Sequence, residues 1–329
     1  MASSPSLVYG TAWKDVRTAD LVLLAFVHGF RAVDTAAQPK HYREDLVGRG
    51  LQAAALQLDL RRHDYWVQTK FTPAAGQDLS GALPYNPDDP VAEQVCASFQ
   101  SSLRNLFPDQ DIPNVKRALA AYAESRGGKE KHRGPGLQPT YIDSYLLHSP
   151  LLTLEHTVQA WRVMELLVDA GFVREIGFSN VYSPEIFSAL YGLARIKPSV
   201  LQNRWHSSTG HDVSLLSLLS PSLSPNTFPT YADGSTPRGI VYQPFWTLTG
   251  NPALLRSESV VKMCIKHDLT PAQVVYAYVH QGLGIAGLTG CVLTGTSDEN
   301  HMREAVAATQ LEPWSEEDIS MVRQEVYGE

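Results

Sequence analysis

The chain has few cysteines, few charges and no long apolar run, and each shortage removes a class of protein. Three cysteines, Cys96, Cys264 and Cys291, lie far apart in 329 residues. They form neither a CxxC pair nor a disulfide framework, which fits a reducing compartment. Charged residues make up 19% of the chain, below the usual quarter, and hydrophobic residues 43%. That balance buries a core and argues against a disordered chain. Positive charge is not in excess. The formal charge is −7, which gives no reason to expect a nucleic-acid surface. No apolar run approaches the roughly 18 residues of a membrane span, and the opening residues Met-Ala-Ser-Ser-Pro-Ser lack the basic and apolar regions of a signal peptide. The expectation is a soluble, cytoplasmic protein.

Several chemical signatures are absent too. There is no GxSxG and no P-loop. Gly282, Gly284 and Gly287 match GxGxxG, but they follow a helical pattern and lead into a strand. A dinucleotide-binding turn needs the reverse order, so they read as a flexible turn. His206 and His211 lack further ligands at metal spacing, and no metal is expected.

What is present is a rhythm. Apolar β-like runs at Leu7–Tyr9, Arg31–Asp34, Asp64–Lys70, Tyr141–Leu147, Glu175–Ser179, Val200–Asn203, Gly239–Tyr242 and Gly290–Leu293 alternate with helical patterns. The helical patterns cover Asp20–His28, Arg43–Leu56, Pro90–Leu106, Leu154–Ala170, Pro184–Ala194, Ser257–His267 and Pro271–Gln281, with another from about Glu299. Eight strands separated by helices imply parallel pairing and a closed (β/α)8 TIM barrel, an α/β fold that fits this length as one domain over 1–329. A doubly wound open sheet is the runner-up. Two stretches break the rhythm and read as irregular loop insertions, at about 109–140 and 219–238. The first contains the basic cluster Arg126, Lys129, Lys131 and Arg133, read as a solvated loop.

Polar residues end successive strand candidates. Asp34 closes the second, Lys70 the third, and His148 follows the fourth. Ser179 and Asn180 follow the fifth, and Gln202 and Asn203 close the sixth. A site at one barrel mouth requires this arrangement. Singly, each has an ordinary alternative: a capping Asp, a solvated Lys, a loop His. Their joint register favours function. The residue types suit carbonyl reduction, which needs an acid for the oxygen. Tyr42, eight residues after Asp34, can serve if a neighbouring Lys cation lowers its pKa. An Asp would hold the Lys, and a His would orient and polarise the oxygen.

Asp34-Thr35-Ala36 with Tyr42, Glu44 and Val47-Gly48 resembles the aldo-keto reductase signature. So do Val67–Lys70, Leu146–Pro150 preceded by Tyr141-Ile142-Asp143, Gly177–Asn180 with Gln202-Asn203, Val241–Pro244, and Leu293–Ser297 with His301 and Glu304. The resemblance runs from Gly10-Thr11 to about Val306. It implies an NADP-dependent oxidoreductase that reduces an aldehyde or ketone to an alcohol with NADPH, NADH being the less favoured donor. The catalytic group it implies is Tyr42, Asp34, Lys70 and His148. The cofactor contacts it implies are Asp34, Ser179, Asn180, Gln202, Tyr242, Gln243, Pro244, Gly295, Thr296, His301 and Glu304, with Tyr242 stacking on the nicotinamide.

The chain departs from the pattern in places. Ala37–His41 lengthens the interval between Asp34 and Tyr42, so His41 competes for the acid's place; chemistry favours Tyr42. Gly295 stands where many relatives carry Lys. The insertions read either as loops over the site or as products of a faulty gene model. The alternative function is therefore a cofactor-binding, non-catalytic subunit of the same fold. A short-chain dehydrogenase would need Tyr-x-x-x-Lys and an N-terminal Gly-rich turn, and neither is present. Trp13, Trp205, Phe245 and Trp246 are candidate pocket walls. The expected partner is a small carbonyl compound, bound by a monomer or weak oligomer.

Overall fold

The computed structural model describes residues 4–125, 137–220, 239–285 and 287–328. Within them, strands β1 (Leu7–Gly10), β2 (Ala32–Asp34), β3 (Trp66–Phe71), β4 (Ile142–Leu147), β5 (Val173–Ser179), β6 (Val200–Arg204), β7 (Val241–Phe245), β8 (Thr289–Gly290) and β9 (Val292–Thr294) pair in parallel throughout. Their order is β8-β7-β6-β5-β4-β3-β2-β1-β9. Only Cys291 separates the two ends of that order. Its N–H donates to the Tyr242 carbonyl at 2.9 Å, and the Val292 N–H donates to Ser6 at 2.8 Å. The sheet thus comes back on itself through 289–294, and the eighth strand of the sequence reading is two short ones. The architecture is a nearly closed parallel barrel with alternating helices.

Helices start where the sequence supplies a cap. Thr153, Ser183, Ser257, Thr270, Asp298 and Ser315 each accept a backbone N–H from the first turn that follows. Such a bond satisfies an amide that has no intrahelical partner. The helix Val115–Ser125 falls in the stretch expected to be irregular. Its Val115, Ala118, Leu119 and Tyr122 repeat at helical spacing and pack on the core. Val213–Leu219 and Glu316–Tyr327 are also helical and were not expected. Residues 126–136, with the basic cluster, and 221–238 lie outside the described residues.

Strand alternation sorts the barrel interior into layers, because successive side chains point to opposite faces. Val8, Ala32, Trp66, Leu146, Val200, Val241 and Cys291 form an inner apolar layer. Two residues further along their strands stand Asp34, Gln68, Gln202 and Gln243. Above these come Lys70, His148, Ser179, Arg204 and Phe245, at the C-terminal ends of the strands. The opposite phase, including Val33, Val67, Leu147, Phe178, Leu201 and Tyr242, packs outward into the main core.

Gly282–Gly284 is a single tight helical turn, as expected, and residue 286 lies outside the described residues. Gly282 and Gly284 both have positive φ, and a Cβ on Gly284 would lie 2.3 Å from Ile319 Cγ2. Among the described residues the tightest glycine is Gly290. A Cβ there would lie 1.8 Å from the Val279 carbonyl oxygen, which is backbone and cannot swing aside. Gly290→Ala should therefore cost about 3 kcal/mol or more and lower the melting temperature by several degrees in a thermal scan. A variant that melts with the wild type would show that the helix at 271–280 does not press on the barrel here.

Candidate active site

The site is built around a buried cation. Lys70 is wholly enclosed, and its Nζ donates to Asp34 Oδ1 and Oδ2, each at 2.7 Å, and to the Thr35 carbonyl at 2.9 Å. A buried ammonium persists only when paired in this way. Burial pulls its pKa below the usual lysine value, and Asp34 and then Glu44 oppose that fall. Asp34 Oδ1 also accepts from Gln68 Nε2 at 2.7 Å and Gln202 Nε2 at 3.2 Å, and both amides donate to Gln243 Oε1. One hydrogen-bonded layer thus ties β2, β3, β6 and β7 together beneath the mouth.

Tyr42 comes back to this pair through a turn. The N–H groups of His41 and Tyr42 both donate to the Gln38 carbonyl, at 3.1 and 3.0 Å. The Gln38 side chain is held by the Gly76 carbonyl. The turn absorbs the extra residues between Asp34 and Tyr42. The Tyr42 ring centroid lies 5.4 Å from Lys70 Nζ and 6.1 Å from the His148 ring. His41 instead stacks on Trp13 at 3.8 Å. The phenol does not follow the expected direction. Burial, then the Asp34 charge, push its pKa well above the ordinary value. The Lys70 charge that was to lower it is already matched by Asp34 at 2.7 Å.

His148 continues the β4 ladder, its N–H donating to the Phe71 carbonyl at 2.9 Å. Its Nδ1 lies 2.7 Å from Thr72 Oγ1. Burial, then the charges of Lys70 and His41, push its pKa down to about 3, so the ring is neutral near pH 7. Asn180, in the left-handed region at φ 53°, donates from Nδ2 to the His148 carbonyl at 2.9 Å and to Ser179 Oγ at 3.2 Å.

The structure brings Asp34, Tyr42, Lys70 and His148 together, with Ser179, Asn180 and Gln202 beside them. It encloses the three β7 residues expected to touch the cofactor. Tyr242 has no exposed surface, points outward and donates to Asp212 Oδ2 at 2.8 Å. Gln243 is enclosed as the acceptor of two glutamines, and Pro244 is buried. Tyr242 therefore has no face open for stacking. The reason is the phase of β7, which runs to Phe245 rather than stopping at Tyr242, so Phe245 and Trp246 reach the mouth. Trp205 is fully buried and belongs to the core rather than to a pocket wall. Trp13 and Trp246 are 72% and 51% exposed, and both sit in the left-handed region, at φ 61° and 62°. Bulky residues rarely adopt it, and such strain gathers at functional sites.

At the last βα loop, Thr296 Oγ1 accepts from the Asp298 N–H at 3.1 Å and lies 3.5 Å from His301 Nδ1. Gly295 is exposed, and Glu304 is half-buried on the helix that follows. Lys14, which the sequence reading did not single out, places its ammonium on the Gly295 carbonyl. A basic group so reaches the loop from β1, where the loop itself lacks one. Gln68, Thr72 and Arg204 were also missed. Gln68 and Arg204 lie two residues from Lys70 and Gln202 on the same strand faces, and alternation alone would have found them.

Glu44 lies behind the site, with Oε1 accepting from Thr69 at 2.5 Å and Oε2 from Ser102 at 3.1 Å. Burial raises its pKa to about 7, against hydrogen bonds and the Lys70 charge that lower it. A carboxyl raised in the folded state favours folding at low pH and loses that contribution as pH rises through the folded value. Glu44→Gln should therefore flatten the decline in stability between about pH 4.5 and pH 7. Glu175, also raised to about 7 by burial, should leave a smaller decline in the variant. Denaturant unfolding at pH 5 and pH 8 measures this; an equal decline in both proteins would clear Glu44 of the effect.

Among the described residues, no group of three or more His, Cys, Asp or Glu could hold a metal, and no helix is long and apolar enough to cross a membrane. A family model described as Aldo/keto reductase family matches residues 135–215. Among curated proteins the chain is 28% identical to aldo-keto reductase family 1 member A1-A of Danio rerio, over 82% of this chain and 72% of that protein. It is 26% identical to the NAD(P)H-dependent D-xylose reductase of Pachysolen tannophilus, over 82% and 76%. It is also 26% identical to an aldose reductase of Encephalitozoon cuniculi, where the match spans 56% of this chain and only 60% of the relative. An aldo-keto reductase from a Medee basin deep-sea metagenome library superposes with a TM-score of 0.66, at 20% identity, covering 100% of this chain and 93% of that one. A Bombyx mori aldo-keto reductase solved with NADP gives 0.64 at 17% identity, covering 98% and 89%. At these identities the solved structures share the fold.

Proposed function

The family model and the curated relatives indicate the aldo-keto reductase family, and from that premise we propose that this protein reduces a small aldehyde or ketone to an alcohol with a nicotinamide cofactor, Tyr42 being the acid. The observation that carries the reading is the buried Lys70–Asp34 pair with Tyr42 and His148 against it. A nicotinamide dinucleotide, when bound, supplies the hydride. The residues fit its nicotinamide end. Ser179, Asn180 and Gln202 stand in the mouth, and Gln202 Oε1 makes no hydrogen bond among the described residues, leaving an acceptor for an amide. On this reading the buried Tyr242 and Pro244 make no cofactor contact, and Phe245 and Trp246 take the β7 side.

Tyr42 donates its phenolic proton to the carbonyl oxygen as negative charge builds there. Its raised pKa keeps it protonated until that charge develops. His148 is neutral. In the tautomer in which the Thr72 hydroxyl donates to Nδ1, the ring proton sits on Nε2 and donates to the same oxygen, fixing its position. Lys70 and Asp34 hold a charge pair beneath the phenol without reorganising. Solvent returns the proton to Tyr42. Tyr42→Phe should lower kcat by about a hundredfold to ten-thousandfold while cofactor affinity, followed by fluorescence titration, holds. Full activity in that variant would remove Tyr42 from the role of acid.

We further propose NADPH as the preferred donor, with Lys14, Thr296 and His301 at the adenosine phosphate. Lys14 supplies the charge that Gly295 cannot. Asp298 and Glu299 at the start of the next helix oppose it, so the preference is narrow. Lys14→Gln should reduce the ratio of NADPH to NADH efficiency roughly tenfold, read as the two kcat/KM values. An unchanged ratio would place the phosphate elsewhere.

A further inference from the structure

In the uppermost layer of the barrel interior, every charged or polar side chain but one is matched. Lys70 has Asp34, His148 is neutral and bonded to Thr72, and Ser179 donates to the Gln202 carbonyl. The exception is Arg204. It ends β6, two residues above Gln202 and on the same strand face. It has no ion-pair partner among the described residues. Its loop's acid, Asp212, is taken by the Tyr242 hydroxyl. Its Nε is buried with no acceptor, so no group among the described residues answers the guanidinium charge and the buried donor stands as an uncompensated cost.

The guanidinium is nonetheless held in place. Its Cζ lies 4.2 Å from the Trp246 ring centroid and 5.9 Å from that of Phe245. The Arg204 N–H donates to the Tyr182 hydroxyl at 3.1 Å, that hydroxyl donates to Asn180 Oδ1 at 2.9 Å, and Asn180 Nδ2 donates to the His148 carbonyl at 2.9 Å. A chain of three hydrogen bonds thus fixes Arg204 relative to His148. Stacking uses the face of a guanidinium and leaves its edge for in-plane hydrogen bonds, and the outer edge formed by its two Nη groups can take both oxygens of a carboxylate.

We propose that Arg204 is the residue that selects the substrate, binding a carboxylate carried by the carbonyl compound while the carbonyl lies against Tyr42 and His148. The inference rests on the reductase reading of the site. A neutral aldehyde would leave the guanidinium unanswered, and a carboxylate-bearing one would not. The other source of an oxyanion in this mouth is the cofactor's own phosphate, and the test separates the two.

Wild type and Arg204→Gln are assayed with 4-carboxybenzaldehyde and with 4-formylbenzamide, a neutral compound of nearly the same shape. Wild type should prefer the acid. Arg204→Gln should lose roughly tenfold to a hundredfold in kcat/KM on the acid, mainly through KM, and at least tenfold less on the amide. Arg204→Lys should recover part of the loss, since it restores charge without the fork. Equal losses on both aldehydes would make Arg204 a structural residue and overturn the proposal. So would a loss confined to the cofactor KM, which would assign the anion to the cofactor. Benzoate binding, followed by tryptophan fluorescence with Trp246→Phe to identify the signal, is the readout independent of turnover; it should weaken in Arg204→Gln. If wild type reduces neither aldehyde, the reductase reading falls, and the benzoate titration alone then decides whether Arg204 is an anion site.

Discussion

The enclosure of one ammonium governs the inside of this barrel. Lys70 lies where water does not reach, and a cation there must be matched by charge and by hydrogen bonds or it will not stay. Asp34 matches it with both oxygens, and Thr35 takes its third proton. The carboxylate then has its own lone pairs to satisfy. Gln68 and Gln202 do so, and Gln243 accepts from both. From one buried charge follow three glutamines at three strand positions, all in one layer. Removing either charged partner would strand the other, a loss of about 3–5 kcal/mol. The pair is therefore a structural demand first, and the chemistry is placed on top of it.

That placement sets the proton states. Because Asp34 neutralises Lys70 at close range, the pair does little to ionise Tyr42, and burial keeps the phenol protonated. The same burial, together with the Lys70 charge, keeps His148 neutral. An acid that holds its proton until charge develops, beside a neutral donor, suits a reaction in which negative charge appears on oxygen only transiently. An imidazolium or a phenolate resting in this mouth would be a permanent charge beside a permanent pair. Arg204 remains as the one full charge of that layer without a counter-ion among the described residues, its guanidinium packed against the Trp246 and Phe245 rings.

Much of this was legible in the sequence. The first six strands are apolar runs with polar ends, so Asp34, Lys70 and His148 announced themselves by position. Tyr42 was readable by its chemistry and not by spacing, because a turn on Gln38 takes up the additional residues and only tertiary structure shows that turn. The helix Val115–Ser125 was hidden by its surroundings, since a single apolar stripe in a polar, Gly-rich stretch does not stand out. Glu316–Tyr327 was hidden by its polar composition. The division of the last strand at Cys291 is a matter of ladder geometry, which no propensity encodes.

The β7 residues show why a motif can be recognised and still be misplaced. Val241–Pro244 has the composition of a cofactor-contacting segment, yet a strand has a period of two, and a shift of one residue moves every side chain to the other face. The phase is set by Val241, which joins the inner apolar layer. Gln243 must then point inward to complete the glutamine layer, and Tyr242 must point outward, where Asp212 receives its hydroxyl. The same phase carries Phe245 to the mouth beside Arg204. One strand phase thus turns Tyr242 away from the mouth and brings Phe245 to Arg204, and the buried amides of Gln202 and Gln243 hold the two strands in that register.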